Sequence, residues 1–564
     1  MSIVPADHPP PFVPSDYVVM PHAAEDDRID VGVLIVGAGP AGLATAVRLG
    51  QLLAEDPAVA EELGEVPIAV AEKGKAPGSH LLSGAVMRPG AINDLFPGTP
   101  REEIPNYGVV SGEAVYFMTS KAKIRIPTPP QMKNHGNWVV SISQLARWMS
   151  GQAEELGAYM LAATDCQKVI IDQGRVMGVI TGDKGRGRDG EELPTFEPGA
   201  EVHAKVTVLA EGTPGHLTGV VRNHYDLDRR STQIWELGVK EVWEVQKPLG
   251  KVIHTLGFPL RLQTKYREYG GSWIYPMGDD KVSLGFVVGL DYADATLSPH
   301  DVLQQFKTHP FIRELLEGGK RLAWGAKTIP GGGLYGLPSR LHVPGAVLVG
   351  DSAGFVDMVA LKGVDYAIRS GILAAESIYE ALKAGKATSP AGLWGYDRRI
   401  RDSEIWKDLW KVRNIRPAFQ TSFIYGGMVH SMATGSKGRA PKRVRFKTDA
   451  KEPIVIGDRG SSYPKPDGQY IFDKLGSVFV SGNQTRDDQP SHIRIRTRVP
   501  RELAVAWENM CPAKVYEIAD DAPQNGTVTV RVNPSNCVQC GAITAKGGRL
   551  TPPEGGSGPE YTIT

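Results

Sequence analysis

The chain has 564 residues, with 63 Lys and Arg against 63 Asp and Glu and a formal net charge of zero. That balance leaves no electrostatic footprint for nucleic acid, no run of about 18 apolar residues offers a membrane-spanning helix, and four cysteines in so long a chain are no disulfide framework. The length predicts about two to four domains, and 65 Gly with 42 Pro suit a loop-rich α/β enzyme.

Residues 1–30 read as a Pro-rich lead-in. They lack both the apolar core of a signal peptide and the Arg-rich amphipathic pattern of a transit peptide. The first strong pattern is Val33-Leu34-Ile35-Val36-Gly37-Ala38-Gly39-Pro40-Ala41-Gly42. Four apolar residues run into G-x-G-x-x-G, and an Ala- and Leu-rich segment follows, which predicts buried strand, tight turn and helix. In such a unit Gly37 permits the sharp turn, Gly39 lets backbone approach a pyrophosphate, and Gly42 lets helix and strand pack closely. The phosphates then meet free N–H groups at the helix N-terminus. Residues 66–72 predict a second strand ending in an acid, Glu72. Glu72 stands later than the usual spacing of about 20 residues, which predicts a long first helix from Leu43 to about Leu63.

The small-residue stretch 78–86 predicts a loop, either one on which a flavin ring can rest or a plain connection. Residues 124–132 hold three prolines and predict an extended, exposed loop. Residues 141–157 predict a core-packing helix with serine at its start and Gly157 at its stop. Residues 206–212 predict a buried strand returning under the nucleotide, and residues 231–330 a mostly β second domain. Ala346-Val347-Leu348-Val349-Gly350-Asp351 repeats the strand-then-glycine theme with an acid at the turn, and Lys362-Gly363 opens an alanine-rich helix. An acid there suits a ribityl hydroxyl, and the positive helix end suits a flavin ring. Residues 437–447 carry Lys437, Arg439, Lys442, Arg443, Arg445 and Lys447, a solvated basic run or a contact for anionic lipid.

Cys511-Pro512 and the pair Cys537-Val538-Gln539-Cys540 match two parts of a ferredoxin-type pattern, with Ile543 at the place of the third cysteine of the run. Three cysteines suit a 3Fe–4S cluster, or a 4Fe–4S cluster with a non-cysteine fourth ligand. Zinc with a histidine, or a metal-free redox pair, are the rivals. Cys166 reads as a buried hydrophobe.

Over nearly its whole length the sequence resembles the electron transfer flavoprotein–ubiquinone oxidoreductase family. The matching stretches include His80-Leu81-Leu82-Ser83-Gly84-Ala85-Val86, Gly285-Phe286-Val287-Val288-Gly289-Leu290-Asp291-Tyr292, Val412-Arg413-Asn414-Ile415-Arg416-Pro417 and Tyr463-Pro464-Lys465-Pro466-Asp467-Gly468-Gln469. The resemblance implies an α/β fold (α+β overall). It comprises a Rossmann-like FAD-binding domain, an inserted, mostly β quinone-binding domain and a C-terminal ferredoxin-like iron–sulfur domain. The FAD domain is expected in three parts, 30–110, 141–230 and 336–450, the last with connecting helices. Residues 231–335 form the quinone domain, with 111–140 as its membrane-facing segment, and 451–564 form the iron–sulfur domain. The resemblance further implies that electrons arrive from electron transfer flavoprotein and leave for ubiquinone or menaquinone at a membrane contacted peripherally. Carried over by position, Gly37, Gly39, Gly42 and Glu72 hold the ADP half of FAD. Gly350, Asp351, Lys362 and Gly363 serve the flavin end, and Gly270 and Gly271 lie beside the quinone. Cys511, Cys537 and Cys540 hold the cluster, which is 4Fe–4S in the family.

Two departures stand out. The fourth cluster cysteine is missing, and the stretches 124–138 and 423–447 are more polar than the family's membrane-dipping surface, the second markedly basic. Without a signal peptide or membrane span, the expected place is the cytoplasmic face of a bacterial inner membrane. The rival readings are another FAD-dependent monooxygenase or prenyl reductase of the same fold, and a non-enzymatic, zinc-tailed binding protein.

Overall fold

The computed structural model describes residues 2–24, 27–439, 443–520 and 522–564. Lys442 of the basic run lies outside the described residues.

The strand Ile29–Val36 sits between two parallel neighbours, Glu201–Leu209 and Ile68–Ala71. Val31 to Val36 are buried, as expected of an apolar run covered on both faces. A nine-stranded sheet spreads from this centre. Helix Pro40–Glu55 follows the glycine turn and packs against the long helix Val364–Lys383. The first helix is shorter than the predicted span to Leu63. It ends before Asp56, which leaves helical geometry (φ −135°, ψ 77°), and a short helix Pro57–Glu61 follows. Pro57 drives that break, because a residue before proline is pushed out of the α region. Helix Ile142–Glu155 forms as predicted, with the Ser141 hydroxyl accepting from the Gln144 N–H at its start.

A second sheet has seven strands. Its order is Lys320–Pro330, Trp235–Glu244, Lys281–Gly289, Gly270–Met277, Val252–Gly257, Glu113–Met118 and Lys123–Ile126. The last strand corrects the reading of 124–132 as a loop throughout. Its first residues pair antiparallel with Glu113–Met118 at the sheet edge, where the following prolines cost no ladder bond. Helix Pro299–Lys307 covers one face through Phe306, which meets Phe286 edge-on. The C-terminal part consists of helices Lys474–Val480 and Arg501–Met510 with two small sheets.

Candidate functional site

One cavity of about 560 Å³ runs through the junction of the two large sheets. Its first end is formed by Val36, Gly37, Gly39 and Glu72, its middle by residues 80–86, Asp351, Lys362 and Gly363, and its far end by Tyr269, Gly270, Gly271, Phe419 and His430. Stretches far apart in sequence thus share a single space.

The three fingerprint glycines do three different jobs. Gly37 has φ +110°, and a Cβ there would lie 2.4 Å from the Ala210 carbonyl oxygen. A Cβ on Gly42 would lie 2.1 Å from the Gly37 oxygen, and Gly42 itself does not reach the cavity. Gly39 differs: the nearest atom to its missing Cβ is Leu81 Cδ2 at 3.8 Å, so its open side is the cavity itself. Glu72 accepts from Ala38 N at 3.0 Å and from Gly74 N at 2.7 Å, which ties the end of the second strand to the turn. Ala210, Glu211 and Gly212, at the end of the returning strand, line the same end.

At the middle, Asp351 lines the cavity and no described residue donates to its carboxylate; burial pushes its carboxyl up to about 6, against the pull of the Lys327 cation. Gly350 lies behind it, where a Cβ would meet Ala41 Cβ at 2.8 Å, so it packs elements together and stays off the cavity wall. Lys362 is buried and donates to Asn134 Oδ1 at 2.9 Å; desolvation lowers it to about 8. Gly363 caps the helix Val364–Lys383 from the cavity wall. An open glycine turn, a partly buried carboxylate with no side-chain donor and a helix N-terminus along one cavity fit a flavin dinucleotide.

At the far end Gly270 and Gly271 face the cavity, but the strands beside them are what require glycine. Their Cβ atoms would lie 1.9 Å from the Val287 oxygen and 2.6 Å from the Thr255 oxygen. Tyr269 is held from behind by Arg416, whose guanidinium lies 4.2 Å from the ring centre. Arg416 is itself fixed by Glu236 (2.5 Å) and Asp291 (2.9 Å), all three buried.

Cys511, Cys537 and Cys540 line a second, smaller cavity together with Ile543. Val515 N donates to Cys511 Sγ and Gln539 N to Cys537 Sγ, each at 3.4 Å. Burial pushes all three thiols up, so a bound metal must displace their protons. No group of three His, Cys, Asp or Glu among the described residues is set around a single ion. Three thiols spread around a cavity suit a multi-iron cluster. Leu550 lines both cavities, so the two share a wall.

Several residues at that wall carry no sequence signal. Lys73 Nζ donates to Gln539 Oε1 (2.7 Å) and Lys327 Nζ to the Gln539 carbonyl (3.2 Å). Thr328 N and Oγ1 donate to the Cys540 carbonyl at 2.9 and 2.8 Å. Cys166, read above as a buried hydrophobe, also lines the larger cavity. These contacts span 212 to 466 residues, beyond any local pattern.

Comparison with known proteins agrees over both regions. Residues 235–329 match the family profile "ETF-QO, ubiquinone-binding", and residues 468–562 match "Electron transfer flavoprotein-ubiquinone oxidoreductase, 4Fe-4S". The mitochondrial electron transfer flavoprotein-ubiquinone oxidoreductase of Oryza sativa subsp. japonica is 37% identical over 558 residues, covering 95% of this chain and 93% of the relative. That of Homo sapiens is 39% identical over 563 residues, covering 94% and 89%. Among solved structures, a geranylgeranyl bacteriochlorophyll reductase-like protein from Thermoplasma acidophilum shares the fold. Its TM-score is 0.55 at 18% identity, over 75% of this chain and 95% of that one.

Proposed function

The chain belongs to the electron transfer flavoprotein–ubiquinone oxidoreductase family, and from that premise we propose how its residues divide the work. As an oxidoreductase of this family it accepts electrons from reduced electron transfer flavoprotein and passes them through FAD and an iron–sulfur cluster to ubiquinone. The two cofactors supply the redox chemistry when bound; the protein sets their placement, surroundings and access to water.

In our reading Gly37, Gly39 and Glu72 seat the ADP half of FAD, with Gly42 and Gly350 packing the elements behind it. Asp351 accepts from the ribityl chain, and Lys362 and Gly363 face the flavin ring. Gly270 and Gly271 offer backbone groups to the quinone, in a position fixed by Tyr269 and Arg416. Cys511, Cys537 and Cys540 ligate the cluster. One observation carries this division: a single cavity joins the fingerprint glycines to Gly270 and Gly271, and it shares the Leu550 wall with the cysteine cavity.

We place the chain peripherally on the cytoplasmic face of a bacterial inner membrane. No helix of the described residues is long and apolar enough to cross a bilayer. The far end of the cavity reaches helix Phe423–Gly435, which also exposes Ile424 (76%), Met428 (54%) and Met432 (60%). Gln131 of the 124–133 segment donates to Thr434 on that helix, and Ile124 is exposed nearby in sequence. Residues 409–448 contain nine Lys and Arg and no acid; residues 114–153 contain five and no acid. Exposed apolar side chains beside a local excess of cations suit a surface of anionic lipid.

The test is electron flow in the purified holoprotein. Reduced electron transfer flavoprotein is expected to bleach the bound flavin, and a short-chain ubiquinone or menaquinone analogue to restore it, the faster one naming the quinone. A flavin that the donor protein leaves oxidised overturns the reading. Vesicles of phosphatidylglycerol are expected to pellet the protein and phosphatidylcholine vesicles to leave it in solution. Equal binding to both removes the electrostatic part.

A further inference from the structure

The family profile that covers the cysteines carries a four-iron cluster in its description, but the donor set in this chain has three thiols. We infer that this protein holds a three-iron cluster as its working form, because the corner where a fourth iron would bind is closed by Ile543. The inference rests on the iron–sulfur reading of Cys511, Cys537 and Cys540.

Each iron of a cubane has three sulfides and needs one outside ligand, supplied by four cysteines in a ferredoxin-type site. The C-x2-C spacing of Cys537 and Cys540 would bring the next ligand at position 543. Ile543 stands there on the short 3₁₀ helix Ala542–Lys546, facing the cavity and only 3% exposed. Ile543 packs closely on Gly548 and beside Ile495: a Cβ on Gly548 would lie 2.3 Å from Ile543 Cγ1 and 2.8 Å from Ile495 Cγ2, so the glycine leaves the isoleucine its place on the wall.

Among the described residues, no other side chain lining this cavity replaces the missing thiolate. The cavity wall near it is completed by apolar side chains such as Val538, Ala542 and Leu550. The remaining side-chain heteroatoms on the wall are the thioether of Met510 and the phenol of Tyr516. Both are neutral at neutral pH and neither substitutes for an anionic thiolate. A water or hydroxide ligand needs about two to four polar partners to be held, and an isoleucine corner supplies none. A fourth iron would therefore be left without its outside ligand in an apolar wall, whereas three irons match three thiolates.

Anaerobically purified holoprotein is expected to contain three irons per FAD and a paramagnetic signal in the oxidised state. Oxygen damage can also strip an iron from a four-iron cluster, so the decisive step is reconstitution. Incubation with ferrous iron, sulfide and dithionite is expected to leave the wild type at three irons. The same treatment of Ile543→Cys is expected to add the fourth, remove the oxidised-state signal and create one that appears only on reduction. A wild type that takes up a fourth iron and is silent when oxidised overturns the inference while leaving the cluster reading intact. A holoprotein with full FAD and no iron overturns both.

Discussion

The flavin end of the large cavity and the cysteine cavity meet at Leu550, yet they are built by opposite means. The first is a backbone site. Its walls come from residues near 37, 72, 82, 211 and 351, and what it demands is the absence of side chains at a few glycines. The second is a side-chain site drawn from two short segments around 511 and 540, where three sulfurs and one isoleucine decide what binds. A backbone site fails when atoms are added. A ligand site fails when atoms are exchanged.

The largest effect tests the backbone half. Gly37→Val combines a positive φ that a β-branched residue resists with a Cβ 2.4 Å from the Ala210 oxygen. The two penalties together predict a loss of about 4 kcal/mol in unfolding free energy, read by denaturant titration, along with the bound flavin. Gly39→Leu sharpens the point. Its Cβ meets nothing closer than 3.8 Å, so the apoprotein is expected to stay within about 1 kcal/mol of wild type while flavin occupancy collapses. Equal destabilisation by both substitutions would break the distinction between a strained turn and a cradle.

The matching exchange in the other half is Cys537→Ala. It is expected to abolish the cluster's spectroscopic signal and to leave FAD stoichiometric, because Cys537 does not line the flavin cavity. Loss of both cofactors would mean that the shared wall carries structural dependence as well as contact.

The same contrast explains what could be read before any coordinates. Gly37, Gly39 and Gly42 were legible because steric demands on a tight turn are local, and the strand, turn and helix around them formed as expected. The helix stop at Asp56 was missed although Pro57 states it locally; the late position of Glu72 had suggested a longer helix. Gly270 and Gly271 were read by family position as quinone neighbours, while their steric need comes from Val287 and Thr255, strand partners invisible in sequence. Cysteine spacing singled out Cys511, Cys537 and Cys540, which line one cavity together with Ile543. Lys73, Lys327 and Gln539 meet only because stretches 212 to 466 residues apart fold onto one wall, and no periodicity encodes that.

A smaller effect separates Asp351 from its glycine surroundings. Burial raises its carboxyl from the ordinary 3.8 to about 6. Ribityl hydroxyls donate to the ionised form, so binding FAD selects the deprotonated state and pulls the group down. Below about pH 6 the apoprotein must lose that proton to bind; above it the carboxylate is ready. FAD affinity is therefore expected to fall about tenfold between pH 7 and pH 5, roughly 1.4 kcal/mol per unit once below the free-state value. Fluorescence titration of apoprotein measures it. Asp351→Asn should bind more weakly at pH 7 and show no such slope; a slope that survives the substitution assigns the titration to another group.

The smallest effect lies on the shared wall, where the two halves touch through charge. Lys327 is partly buried, donates to the carbonyl of Gln539 between Cys537 and Cys540, and acts electrostatically on both Asp351 and Cys540. A buried cation favours the more negative, reduced state of a nearby cluster and the ionised state of a nearby carboxylate. Lys327→Met removes both influences at once with little change in volume. The cluster's midpoint potential is expected to drop by a few tens of millivolts, on the order of 1 kcal/mol for a unit charge in partly screened surroundings. The pH midpoint for FAD binding should move upward in the same variant, since Asp351 loses its nearest counter-charge. Redox titration followed by paramagnetic resonance reads the first shift, and flavin titration against pH reads the second. Both moving together ties the backbone site and the ligand site to one lysine; a potential that drops while the flavin profile stays fixed confines Lys327 to the cluster side of the wall.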